Sequence, residues 1–333
     1  MLSIFTGQEV KKRMTKSDGQ HIKLGVIGTG RIANRFIREV EFVKGIKVTA
    51  VYNPHLNSAE IFAQRHGINT YTNDLNVFLR NIDAVYIASP HDTHYEYAKS
   101  SLINGKNVLC EKPSVLKKYQ AEKLFNIAEK YGLVFMEALK TAYAPGFLQL
   151  IKEAKSGKIG EIRDVESCFT KITDTSLREL ADIKYGGSFT ELASYTLLPI
   201  IKLLGTEYIG IRFDSFTAQN GVDVYTKAYF KFKNAVATSK TGLGVKSEGQ
   251  LIISGTCGYI RVDAPWWKTQ TFEVCFEDMS KNEKYAYDFK GDGLRYEIND
   301  FVSAIKNRSK PKLSAHETIA MAEIMEKFLE QRK

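Results

Sequence analysis

Lys112 stands in Glu111-Lys112-Pro113, directly after the apolar run Val108-Leu109-Cys110. A lysine presented at a strand end carries a charge that can stabilise an oxyanion as hydride reaches a carbonyl carbon. Well upstream, Gly28-Thr29-Gly30-Arg31-Ile32-Ala33 follows another apolar run. In such a turn the first glycine permits the bend and the second lets the backbone approach a pyrophosphate. A small third residue lets the next helix lie close to the strand, and the helix N-terminus adds amides and the positive end of its dipole. The bland alternative is a glycine turn that serves packing only. A dinucleotide turn followed by a lysine at a strand end, in that order, points to hydride chemistry. At the end of the second strand, Tyr52-Asn53-Pro54-His55 supplies neither an acid for a ribose 2′-hydroxyl nor an arginine for a 2′-phosphate. Asn53 can bond a hydroxyl without repelling a phosphate, so the choice between NAD and NADP stays open.

These residues need a scaffold, and the chain predicts one. Strands are expected at Ile22–Ile27, Val48–Tyr52, Ala84–Ala88, Asn107–Cys110 and Leu133–Met136. Helices are expected at Arg31–Val43, Ser58–His66, Thr93–Asn104 and Lys117–Tyr131, with Thr93 as an N-cap and Gly105 past a helix end. Unbroken apolar strands alternating with helices imply a parallel sheet covered on both faces, an α/β doubly wound Rossmann domain. Beyond about residue 145 the rhythm changes. A helix over 145–156 leads to half-apolar strands at 165–169, 228–232, 236–239, 251–254 and 272–276, with a helix at Ser194–Leu204 among them. That pattern predicts an α+β domain with a large, mostly antiparallel open sheet. Two helices, Arg295–Ile305 and His316–Gln331, close the sequence and have the option of packing back on the first domain. The expected organisation is an N-terminal extension (1–20), a dinucleotide-binding domain (21–140) and a substrate-binding and oligomerisation domain (141–333).

Bulk composition narrows the classes further. The chain has 333 residues, enough for two domains, with 44% apolar and 26% charged residues. No apolar run is long enough to span a bilayer, and residues 1–20 lack the pattern of a secretory signal, so no membrane role is expected. Cys110, Cys168, Cys257 and Cys275 form no CxxC pair and read as reduced thiols of a cytoplasmic protein, with no metal implied. The net charge is +9, but the lysines are dispersed apart from Lys11-Lys12-Arg13. A solvated basic surface that favours anionic small ligands explains this, and no nucleic-acid motif is present.

Gly28-x-Gly30-x-x-Ala33, Ser89-Pro90 with His94, Gly105-Lys106-Asn107-Val108-Leu109-Cys110-Glu111-Lys112-Pro113 and Gly186-Gly187 together resemble the Gfo/Idh/MocA oxidoreductase family. The resemblance runs from about residue 21 to the end. Phe135-Met136-Glu137-Ala138 and Tyr195 are more similar to its dihydrodiol and D-xylose dehydrogenase branch than to inositol dehydrogenase. The resemblance implies that Lys112 touches both cofactor and substrate. It implies that Gly28, Thr29, Gly30, Arg31, Ile32 and Asn53 serve the phosphate and ribose end of NAD or NADP. The loop with Ser89, Pro90, His91 and His94, together with Glu111 and Lys112, would line the nicotinamide side. In the family's second signature, Glu191 falls where an Asp is usual and Tyr195 where His or Tyr is usual. Four residues apart, they share one helix face if the helix has begun by residue 191. Tyr195 would be the proton donor or acceptor, with Glu191 holding the substrate hydroxyl. Glu191, Ala193 and Leu198 depart from the usual Asp, Gly and Asp, which leaves the substrate open. The family association also implies a homodimer or homotetramer through the sheet's free face.

The leading expectation is an NAD(P)-dependent oxidoreductase acting on a sugar, sugar derivative or polyol. Its rivals are a dihydrodiol or small-carbonyl oxidoreductase and a catalytically silent dinucleotide sensor. For Tyr195 the plain alternative is packing beneath the sheet, and for Glu191 a carboxylate favoured by a helix N-terminus. Trp266-Trp267 could stack on a sugar ring, close a subunit interface or fill the core.

Overall fold

The computed structural model describes residues 21–332. They form two compact units, one running to Ala138 with Leu294–Ala315 added, the other Leu139–Gly293 with the residues from His316. The N-terminal extension, with Lys11-Lys12-Arg13, lies outside the described residues.

In the first unit strands and helices alternate: β1 (Ile22–Ile27), α1 (Arg31–Val40), β2 (Ile46–Tyr52), α2 (Leu56–His66), β3 (Thr70–Thr72), α3 (Leu75–Arg80), β4 (Ala84–Ile87), α4 (His94–Ile103), β5 (Asn107–Glu111), α5 (Lys118–Tyr131) and β6 (Phe135–Ala138). The six strands pair in parallel in the order β3-β2-β1-β4-β5-β6. β4 and β5 are buried along their whole length, which is why they read as unbroken apolar runs. The winding reverses between β1 and β4, the place where open α/β sheets take ligands beyond the carboxyl ends of their strands. The inner face of α1 meets β4 through Phe36 stacked on Tyr86, with ring centroids 3.5 Å apart. Several details differ from expectation, among them β2 beginning at Ile46 and α1 ending at Val40. β3 and α3 are additional and too short for periodicity to reveal, although Asp74 marks the start of α3 by accepting the amides of Asn76 and Val77. The last strand lies at Phe135–Ala138, not 133–136. Thr93 occupies the N-cap of α4 without capping it, because its hydroxyl is engaged by Pro90 O, to which it donates, and by the Ser89 hydroxyl.

The second unit contains α6 (Pro145–Ala154), β7 (Ile162–Thr170), α7 (Arg178–Ala181), α8 (Ser188–Leu204), β8 (Gly210–Thr217), β9 (Asp223–Lys231), β10 (Val236–Gly242), β11 (Leu251–Gly255), β12 (Tyr259–Val262), β13 (Thr271–Cys275) and β14 (Glu283–Ala286). The eight strands run in the order β14-β13-β12-β11-β7-β10-β9-β8, and only β7 and β10 pair in parallel. α8 packs on β7, β9 and β10. It begins at Ser188 rather than at the expected Ser194, and it is buried over most of its length. One row of residues in register, Val274–Ile260–Ile253–Val165–Ala237–Phe230, is buried and apolar. The row of opposite parity runs Lys284–Glu273–Arg261–Ile252–Glu166–Thr238–Tyr229–Arg212 across all eight strands. It is mostly polar, with Arg261 bonded to Glu273 at 3.0 Å and Arg212 over the Tyr229 ring at 4.6 Å. The sheet therefore has one core face and one polar face.

Two helices close the chain, α9 (Leu294–Asn307) and α10 (Ala315–Gln331). α9 belongs to the first unit, where Arg295 forks onto the buried carboxylate of Glu39 on α1 through two bonds of 2.9 Å. Among the described residues no helix is long and apolar enough to cross a membrane.

Candidate active site

The residues singled out by sequence gather in two clusters, one in each unit. In the first, the glycine turn ends β1. Gly28 has φ +97°, and a Cβ there would lie 2.5 Å from Ala88 O at the end of β4, so the fold itself requires glycine. Gly30 is different. A Cβ there would meet nothing within 4 Å, so packing does not demand its absence. Gly30 is also the N-cap of α1 and has no side-chain cap, so the first amides of that helix have no side chain to bond at the cap. Open space over Gly30 beside an uncapped helix start fits the close approach of a diphosphate, and Gly28, Thr29, Gly30, Arg31 and Ile32 are the residues that would hold it. A bound NAD(P) would supply the hydride. At the end of β2, Asn53 donates to Thr29 Oγ1 at 2.9 Å and accepts the His55 amide at 2.9 Å, tying this corner to the glycine turn.

Lys112 is half-buried, on a segment whose backbone is held by side chains. The Lys112 amide donates to Glu111 Oε2 at 3.3 Å, and Tyr86 donates to Glu111 Oε1 at 2.5 Å. Burial, with the Glu111 and Glu297 carboxylates nearby, pushes the Tyr86 phenol well above its ordinary value and keeps it a donor. Glu137 on β6 accepts the Ser114 amide at 3.1 Å, and Cys110 Sγ lies 3.7 Å from Ser114 O. The Lys112–Pro113 peptide is cis. His94 completes the hold. It is fully buried, with Nδ1 2.9 Å from Pro113 O and Nε2 2.9 Å from Ser89 O. The ring lies between the two carbonyls and donates to at least one of them. His94 thus ties the Ser89-Pro90 loop to the lysine segment and has no exposed ring surface for a cofactor, whereas buried His91 lies edge-on to it at 5.6 Å.

In the second cluster, Glu191 lies in the first turn of α8 and Tyr195 one turn on. Arg178 of α7 bonds Glu191 at 3.4 Å. Tyr195 is half-buried, with the Phe169 ring edge-on at 5.2 Å, and Phe169 stacks on Trp267 at 3.6 Å. The paired tryptophans therefore separate. Trp266 is core, its indole donating to Cys168 O at 2.7 Å, while Trp267 joins the aromatic wall beside Tyr195. Sequence reading missed Tyr86, Phe169 and Arg178. It also missed the bracing role of Glu137, although a glutamate inside a buried strand was a legible signal.

Residues 22–139 match the model of the Gfo/Idh/MocA oxidoreductase family, described as an NAD-binding Rossmann fold. The chain is similar to scyllo-inositol 2-dehydrogenase (NADP(+)) of Bacillus subtilis, 28% identical over 93% of this chain and 97% of that protein. It is also similar to trans-1,2-dihydrobenzene-1,2-diol dehydrogenase of Xenopus laevis, 25% identical over 93% and 97% of the two chains. Among solved structures, a 3-ketoreductase from Actinomadura kijaniata in complex with NADP and TDP-benzene superposes with a TM-score of 0.80. It is 24% identical, over 92% of this chain and 96% of that one, which concerns the fold.

One outcome follows from this geometry. Gly30→Ala should leave thermal stability close to wild type and weaken dinucleotide binding tenfold or more, about 1.4 kcal/mol, in a fluorescence titration; unchanged affinity would remove Gly30 from the diphosphate site.

Proposed function

We propose that the chain is a Gfo/Idh/MocA oxidoreductase, the family whose model residues 22–139 match, and that it moves hydride between nicotinamide and a carbinol or carbonyl carbon of a sugar, sugar derivative or polyol. The observation that carries this reading is the Glu111–Ser114 segment, braced by Tyr86, Glu137 and His94. A lysine on a rigid backbone is what electrostatic stabilisation of a developing oxyanion needs, since the charge does not reorganise during reaction. Lys112 takes that role. Tyr195 gives the proton in reduction and takes it in oxidation, and Glu191, oriented by Arg178, holds a substrate hydroxyl. The Phe169–Trp267 wall beside Tyr195 offers an apolar face to a sugar ring or to the ring of a dihydrodiol. That wall, with the dihydrodiol dehydrogenase similarity, favours a dihydrodiol or small carbonyl as the second reading.

NADP(H) is the favoured cofactor. The end of β2 has no carboxylate to repel a 2′-phosphate, and the inositol dehydrogenase and the ketoreductase are both described with NADP. The polar face of the eight-stranded sheet is the proposed homodimer surface, its Arg261, Glu273 and Glu166 offering charges of both signs to a second copy. A cytoplasmic location accords with four unpaired cysteines, three of them buried.

The decisive experiment titrates the protein with NADPH and NADH, then screens sugars, polyols and dihydrodiols, with Lys112→Met in parallel. NADPH should bind more tightly than NADH, and Lys112→Met should lose about 10²–10³-fold in kcat while still binding cofactor. Undiminished turnover in the variant would end the lysine mechanism, and an inert wild type that binds cofactor would end the substrate reading. Light scattering should give two or four times the 37.6 kDa chain mass. A single-chain mass would refute assembly through the sheet.

A further inference from the structure

Asp223, at the start of β9, is fully buried. Its Oδ2 accepts the Ser188 hydroxyl at 2.7 Å, the Phe189 amide at 2.8 Å and the Thr226 hydroxyl at 3.0 Å. Ser188 and Phe189 are the first two residues of α8, whose own N-cap, Gly187, has no side chain to offer. A carboxylate from another strand therefore caps this helix. The other oxygen, Oδ1, meets Arg332 at 3.2 Å. Arg332, just past α10, also donates from its two terminal nitrogens to three backbone carbonyls of the segment before α8: Gly186 at 2.6 Å and Ile183 and Lys184 at 2.9 Å each. A Cβ on Gly187 would overlap Asp223 Oδ1 and reach within 3.0 Å of the Arg332 guanidinium, and φ there is +117°. The second glycine of Gly186-Gly187 is thus required by the ion pair that passes over it.

The pinned segment is continuous with chemistry on both sides. Upstream it joins α7, whose Arg178 bonds Glu191, and the Gly187 amide returns to Glu179 O at 2.7 Å. Downstream it becomes the helical turns that carry Glu191 and Tyr195. Leu180 of α7 is buried against Leu192, Val222 and Leu243, but Ile183 and Lys184 beyond it are exposed, and there the arginine contributes four bonds.

We propose that Arg332 and Asp223 are positioning residues for the reaction: they fix the first turns of α8, and with them Glu191, Tyr195 and the Arg178 contact, while touching neither substrate nor cofactor. This rests on the function proposed above only in that Glu191 and Tyr195 act on the substrate.

The test uses the full chain with Arg332→Met, and Arg332→Lys as the milder variant that keeps the charge but loses the planar fork. Amide exchange of peptides covering 182–195 should speed up in Arg332→Met, and less in Arg332→Lys. Cofactor affinity, a property of the first unit, should stay at the wild-type value. kcat/KM for the substrate should fall roughly ten- to a hundredfold, in the order wild type, Lys, Met. Unchanged exchange would overturn the pin. Faster exchange with unchanged kcat/KM would overturn the positioning role. If the wild type turns over nothing in the panel while exchange still rises, the function reading fails and the positioning role fails with it, leaving a purely structural clasp.

Discussion

A charge taken out of water must be met by a partner, and this protein spends that requirement on backbone. Asp223 faces an amide in the first turn of a helix as well as an arginine, and Arg332 faces three carbonyls as well as Asp223. Glu111 and Glu137 take amides on either side of Pro113, and the neighbouring His94 ring lies between two carbonyls from different loops. Loops beyond strand ends would ordinarily be the softest parts of such a fold. Here each reactive candidate hangs on a stretch of chain whose polar atoms are bonded by buried side chains, and leaving any of those side chains unpaired costs several kcal/mol.

The legible part of the sequence is the part governed by local periodicity. β4 and the centre of β5 are legible because strands buried on both faces become apolar, and the glycine turn because its spacing carries a mechanical reason. β3 and α3 escaped because three and six residues are too few for either period to declare itself. β8 and β14 escaped because they bury almost none of their residues, and β12 because four residues are too few for alternation to declare itself. The start of α8 was placed late. Its true cap is Asp223, remote in sequence, and no local pattern around Ser188 announces it.

The candidate site divides along the same line. Lys112, Glu191 and Tyr195 were named from motif spacing, and α8 does put Glu191 and Tyr195 one turn apart in its first two turns. Their supports were hidden, since Tyr86, Arg178 and Phe169 are ordinary residues until the chain folds. Glu191 shows how a departure is absorbed. A side chain one methylene longer than aspartate meets a guanidinium from α7, so its carboxylate is anchored from outside its own helix.

The single parallel pair in the eight-stranded sheet governs how that sheet can be assembled. β8, β9 and β10 form one meander and β11 to β14 another, each built from neighbours in sequence. β7 alone joins them, and its partners, such as Asp164 with Val236 and Ser167 with Leu251, lie far along the chain. Closing long loops costs entropy before any contact repays it, and non-local pairing is slow for that reason. The two meanders are therefore the kinetically accessible pieces, and β7 is the keystone whose seating turns two local ribbons into one cooperative sheet.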